Sequence, residues 1–291
     1  MRGISTAVDA TLCLLLVSAA ALVLVSADAP AERSGNPAAA VAETLTTSTA
    51  EVNYTLSVTG RGGVSLPDGP RTYSRAAHDT LTGLAAACAT GDVSVNGSDV
   101  TDRNDDFERA LEREFRSLSG GTGTAGRQVQ VVARWEPYPD APVAGGCTLG
   151  PSPPPEADVH AAVVDVPSGI APVRRTARPV VGWQTYDRVA DAVARRIVRG
   201  LFPPERLRAS LQHRRTAPLT SVRFRRFAAL TDANPGDELA SDDLAGARHE
   251  LAAGLSATLE PRLGEQYASP DQAARATAAD RVEVVVRVWS P

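Results

Sequence analysis

Residues 281–289 read RVEVVVRVW, and residues 127–135 read RQVQVVARW. Both runs are rich in β-branched residues, which suit a pleated, half-buried surface, so both predict strands. They resemble each other, but the likeness is too short to make an internal repeat. A third strand is expected over ADVHAAVVDV (157–166), joined to RQVQVVARW by a Pro-rich loop. A fourth is expected over EVNYTLSV (51–58), where apolar and polar residues alternate.

Helical spacing fills much of the rest. One helix is expected over about 73–89 and another over 105–118, where Phe107, Leu111 and Phe115 recur four apart on one face. Between 186 and 200, Val189, Val193 and Ile197 form a stripe that ends at Gly200, and Pro203-Pro204 bars continuation. Residues 242–263 carry Leu244, Leu251, Leu255 and Leu259 behind Ser241 as a cap, and Ser269-Pro270 opens a short helix to about 279. Residues 28–48 have few bulky apolar groups and read as a flexible linker. Residues 49–291 then read as an α+β region of antiparallel strands packed with several helices, with room for two subdomains meeting near 168–182.

The chain has 291 residues, enough for one large or two modest domains with real cores. Aromatic residues are 4% of it against 43% apolar overall, so aliphatic side chains must fill the core. All thirty basic residues are arginine, and the formal charge of −4 is too mild to point to a nucleic-acid partner. Between Arg174 and Arg226 fourteen arginines face only Asp187, Asp191 and Glu205, and from Asp232 to Glu265 the balance reverses. Such a basic stretch either packs against the acidic one or presents a face to anionic headgroups or a partner.

The N-terminus sets the expected location. Residues 10–27 are uncharged and dominated by Leu, Val and Ala, which just reaches the length that spans a bilayer. Arg2 precedes this run and Asp28, Glu32 and Arg33 follow it, so the N-terminus is expected inside and the remainder outside the cell membrane. The expected fold class is therefore α+β with an N-terminal transmembrane helix (1–27) followed by an extracellular domain, and membrane lipid contacts residues 10–27. The competing reading is a Sec signal removed near Ala27, where small residues lie. Asp9 closes Thr6-Ala7-Val8-Asp9, which has the spacing of a capping box at the start of the apolar run.

The stretch MRGISTAVDATLCLLLVSAAALVLV also resembles an archaeal type IV pilin leader, with a basic–small pair at Arg2-Gly3 and an acid near the start of a hydrophobic stalk. The resemblance implies a cut after Gly3, a new N-terminus at Ile4 and pairing of Asp9 with a neighbouring subunit. Asp9 would be sixth rather than fifth, and Asp rather than Glu. Beyond the leader, WEPYPDAPVAGG (135–146), GPSPPPEADVHAA (150–162) and GLFPPER (200–206) resemble an uncharacterised family of haloarchaeal membrane-anchored surface proteins. That resemblance implies proximity to pilus-like or secretion-system proteins as partners.

No catalytic, cofactor-binding or metal-binding constellation is readable. GTGTAG (121–126) matches a dinucleotide string but follows a helix and precedes a strand, the reverse of what phosphate binding requires. A Walker loop needs a lysine. His78, His160, His213 and His249 are scattered without paired ligand spacing, although Asp158 and His160 lie two apart. Cys88 and Cys147 are the only cysteine pair beyond the apolar run, open to a disulfide in an oxidising compartment, while Cys13 lies within that run. Asn53-Tyr54-Thr55 and Asn96-Gly97-Ser98 are N-glycosylation sequons, with Asn96 in a turn and Asn53 shielded within a strand. The expected function is that of a non-enzymatic structural or interaction component of a surface assembly; the alternative is an exported binding protein or enzyme released after cleavage near Ala27.

Overall fold

The computed structural model describes residues 36–58, 71–100, 105–121, 126–173, 183–212, 217–236 and 243–291. In chain order its elements are α1 (Pro37–Thr47), β1 (Thr49–Val58), β2 (Arg71–Thr80), α2 (Leu81–Gly91), β3 (Val93–Val95), β4 (Ser98–Asp99) and α3 (Asp105–Gly121). There follow β5 (Gln128–Trp135), β6 (Val143–Leu149), β7 (His160–Pro167), α4 (Tyr186–Leu201), α5 (Pro204–Gln212), α6 (Ala217–Leu230), α7 (Leu244–Gln266), α8 (Pro270–Ala276) and β8 (Arg281–Trp289). A two-stranded antiparallel ribbon pairs β1 with β2, and a six-stranded antiparallel sheet runs β4-β3-β6-β5-β8-β7.

The valine alternation of β8 explains the larger sheet. Val282, Val284, Val286 and Val288 are buried on one face, and Val129, Val131, Ala133 and Trp135 of β5 join them there. In register, Cys147, Ala133, Val284 and Val164 form one row across four strands. The opposite face is mixed: Arg281 pairs with Asp165 at 3.2 Å and Arg287 donates to the buried Gln130 side chain, while Val132, Val285 and Val163 form a row in which Val163 is 60% exposed. One face in the core and one in water is the usual economy of an antiparallel sheet.

α2 lies across the core face, touching β5, β6, β7 and β8. Its buried positions are mostly small (Ala85, Ala86, Cys88 and Ala89), so its backbone comes close to the sheet. Gly145 completes the fit, because a Cβ there would overlap the carbonyl oxygen of Ala89. α1 packs on β7 and β8 and α3 on β1, with Tyr54 and Phe107 meeting edge to face at 4.9 Å. In the second half α4 lies along α7, and their buried faces are Val189, Val193 and Ile197 on one side and Leu251, Leu255 and Leu259 on the other. The WEPYP segment makes two ties from the sheet: the Tyr138 hydroxyl donates to Leu259 O of α7, and Trp135 Nε1 donates to Ala279 O, between α8 and β8, at 2.9 Å. Burial pushes the Tyr138 phenol above its ordinary range.

Several expectations need correction. The α+β architecture of antiparallel strands and helices stands, but no helix among the described residues is long and apolar enough to cross a membrane. The longest, α7, has 23 residues yet carries Arg248, Glu250, Glu260, Arg262 and Glu265, and buries a single stripe of leucines with Ala247 and Ala252. The run 10–27, with Gly3, Ile4 and Asp9, lies outside the described residues. Part of the expected 28–48 linker is α1, because Ala38, Ala42 and Leu45 share one buried face. Residues 37–291 form one compact unit rather than two meeting near 168–182. The helix expected from 73 begins only at Leu81, where Thr80 caps it by accepting from Gly83 N at 3.0 Å. Residues 71–80 are instead a strand, since ten cross-strand pairs with β1 outweigh their local preference. β6 interrupts the expected Pro-rich connection between β5 and β7. The cap of α7 is Asp243, whose carboxylate accepts from Ala245 N and Gly246 N; Ser241 lies outside the described residues.

The α2–sheet fit makes a paired prediction. Gly145→Ala should cost about 1–3 kcal/mol, the usual penalty of overpacking. Gly146→Ala, whose nearest neighbour would be Ala133 O at 3.9 Å, should stay within about 0.5 kcal/mol of wild type. Urea denaturation of the two variants checks this.

Candidate functional site

Behind the C-terminal end of α2 lies a cavity of about 610 Å³. Its walls come from five places: Thr90 of α2, Ser168 to Ile170 after β7, the Gly200–Pro203 bend that ends α4, Arg206 and Leu207 of α5, and Arg223 of α6. The bend exists because Pro203 and Pro204 stop α4, and Phe202 N closes it on Val198 O at 2.9 Å. Phe202 then sits edge to face with Phe224 and Phe227 at 5.2 and 5.6 Å, which fixes α6 against the bend.

Arg223 is the distinctive residue of this wall. Its guanidinium lies over the Phe202 ring, 5.6 Å from the centroid. Its Nε is shut off from solvent and has no hydrogen-bond partner among the described residues. Burial disfavours the charged form and pulls its pKa down from the ordinary arginine value. Arg206, exposed at the rim, supplies a second cation. Among the described residues the lining contains no histidine, cysteine or carboxylate, so the arrangement offers positive charge and hydrogen-bond donors rather than a general base.

Cys88 and Cys147 form a disulfide with a Cα–Cα distance of 5.7 Å, joining α2 to β6 one turn from the cavity wall. The sequons lie apart from both features. Asn96-Gly97 makes a two-residue hairpin turn with φ of 50° and 75°, the pattern of a type I′ turn, and Asn96 is exposed. Asn53 is exposed too rather than shielded, its Nδ2 donating to Glu51. His78, His160 and His249 fall on β2, β7 and α7, and His213 lies outside the described residues. Among the described residues no three His, Cys, Asp or Glu converge as metal ligands.

Sequence reasoning noticed the arginine-rich stretch but not Arg206 and Arg223 within it. The available signal was GLFPPER itself, a proline-stopped helix followed at once by a cation. Arg223 gives no such sign, because FRRF reads as ordinary amphipathic helix.

The disulfide makes a quantitative prediction. It closes a loop of 59 residues, which corresponds to about 4 kcal/mol in the chain-entropy description. Replacing both cysteines by alanine should lower the unfolding free energy by that order, read as a shift in the urea midpoint. A midpoint unchanged from wild type would show that the bridge restrains nothing.

No curated protein and no solved structure matches this chain. A family model does match, over residues 8–289. The chain thus belongs to the family of unknown function DUF7284.

Proposed function

We propose that the protein is exported and works outside the cytoplasm, at the cell surface, as a structural or interaction component rather than as an enzyme. The disulfide between Cys88 and Cys147 carries this reading, because such bridges persist in oxidising compartments and are rare in the cytosol. The exposed sequons at Asn53 and Asn96 fit the same location. The resemblance of residues 1–25 to a pilin leader, with its basic–small pair at Arg2-Gly3, supports pilus-like or secretion-system proteins as partners and a haloarchaeal surface family as kin. The second reading is an exported binding protein released after cleavage near Ala27, and the cavity favours it.

In cells that make the protein, a membrane-permeant alkylating agent added before lysis should leave Cys88 and Cys147 unmodified, and reductant should expose both. Protease added to intact cells should degrade residues 37–291. Free thiols at both positions together with full protection from protease would contradict export. N-terminal sequencing then separates the readings: a start at Ile4 fits the pilin-like leader, and a start near Asp28 fits the released protein.

A further inference from the structure

Among the described residues, the cavity behind α2 is lined by Arg223, whose Nε has no hydrogen-bond partner, and by no carboxylate. A guanidinium does not give up its proton under ordinary conditions, so burying one without a partner costs free energy that a bound anion would offset. The helix ends around it compensate only in part. The carbonyl ends of α2 and α4 border the space, each carrying about half a negative charge. Against them stand the two guanidiniums of Arg206 and Arg223 and the N-terminal end of α5. These groups sum to about one and a half positive charges, which the exposed Glu205 in the first turn of α5 reduces.

The hydroxyls sharpen the picture. Ser168 Oγ already donates to Ala279 O at 2.7 Å, and Thr90 Oγ1 donates to Ala86 O at 3.0 Å. Their protons are committed to the fold, so the other donors along the wall are the two arginines and the hydroxyls of Ser210 and Thr220. Guanidinium donors arranged as a fork suit an oxyanion. An apolar part of the wall is formed by Ile170, Leu201, Phe202 and Leu207. The volume lies in the range that holds a small organic molecule rather than a bare ion.

We propose that this cavity binds a small amphipathic organic oxyanion, its head on Arg223 and Arg206 and its apolar body against Ile170, Phe202 and Leu207. The inference deepens the binding-protein reading, and it can be tested on purified protein whether or not the chain is exported. Failure of export and failure of binding are therefore separate results.

The test is calorimetric titration of the full-length chain with octanoate, octyl phosphate, inorganic phosphate and octylammonium. Octanoate or octyl phosphate should bind saturably at one site, the tighter of the two identifying the head group as carboxylate or phosphate ester. Inorganic phosphate should bind at least tenfold more weakly than the tighter of them, and octylammonium should not compete. Arg223→Met should weaken binding at least tenfold and Arg206→Met at least threefold, while Arg225→Met, an exposed arginine on the same helix, should leave it unchanged. Ligand-free Arg223→Met should melt no lower than wild type, because it removes an uncompensated charge. Absence of saturable binding by either amphiphile, equal affinity for octylammonium or inorganic phosphate, or full affinity in Arg206→Met would overturn the proposal. So would full affinity in Arg223→Met, or a marked loss of its stability.

Discussion

The seat of α2 on the six-stranded sheet is the contact on which the rest of the structure depends. A helix can come this close only if its facing side chains are small, and α2 supplies Ala85, Ala86 and Ala89 there. The sheet reciprocates with Gly145, whose missing Cβ leaves space for the Ala89 carbonyl. Cys88 and Cys147 then close the same junction covalently. The fit is steric first and covalent second. With few aromatic side chains in the chain, the core depends on backbone proximity, since alanine and valine make enough dispersion contacts only when elements approach closely.

This junction also links the two halves of the described unit. The C-terminal end of α2 forms one wall of the cavity, and α4, α5 and α6 form the others. The α4–α7 pair is tied to the sheet separately, through Tyr138, whose hydroxyl donates to the Leu259 carbonyl of α7. The cavity thus sits where sheet-side and helix-side elements meet, a common place for a small-molecule site. Its charge is set by what the helices leave uncompensated. Arg195 pairs with Asp191 along α4, and Arg262 with Glu265 along α7, so those cations are met locally on exposed faces where such pairs contribute little. Arg223 has no comparable carboxylate in the cavity lining, and aromatic packing on Phe202 holds it in place.

How much of this was legible in the sequence varies by element. β5 and β8 are readable because valine recurs on one face of each, and α3 because Phe107, Leu111 and Phe115 share a helical face. β6 is not, since VAGGCTL has the glycines of a loop, and one of them, Gly145, serves a helix distant in sequence. β2 carries Arg-Ala-Ala, which favours a helix locally; pairing with β1 decides otherwise, and no local signal encodes that pairing. α1 was concealed by small residues whose only apolar pattern is Ala38, Ala42 and Leu45. The arginine-rich stretch was visible as charge, but which arginine has its Nε enclosed depends on a bend at Pro203-Pro204 and on where Phe202 packs. The spacing of Cys88 and Cys147 allowed a bridge without placing α2 on β6.

The central claim is that the α2–β6 junction organises both the core and the cavity wall. Amide hydrogen exchange across residues 81–91, compared between the oxidised and the reduced full-length protein, tests it directly because local opening is read residue by residue. The account predicts that reduction speeds exchange at Cys88, Ala89 and Thr90 by at least tenfold, while the β5–β8 amides keep their protection. Unchanged protection along α2 after reduction would contradict it.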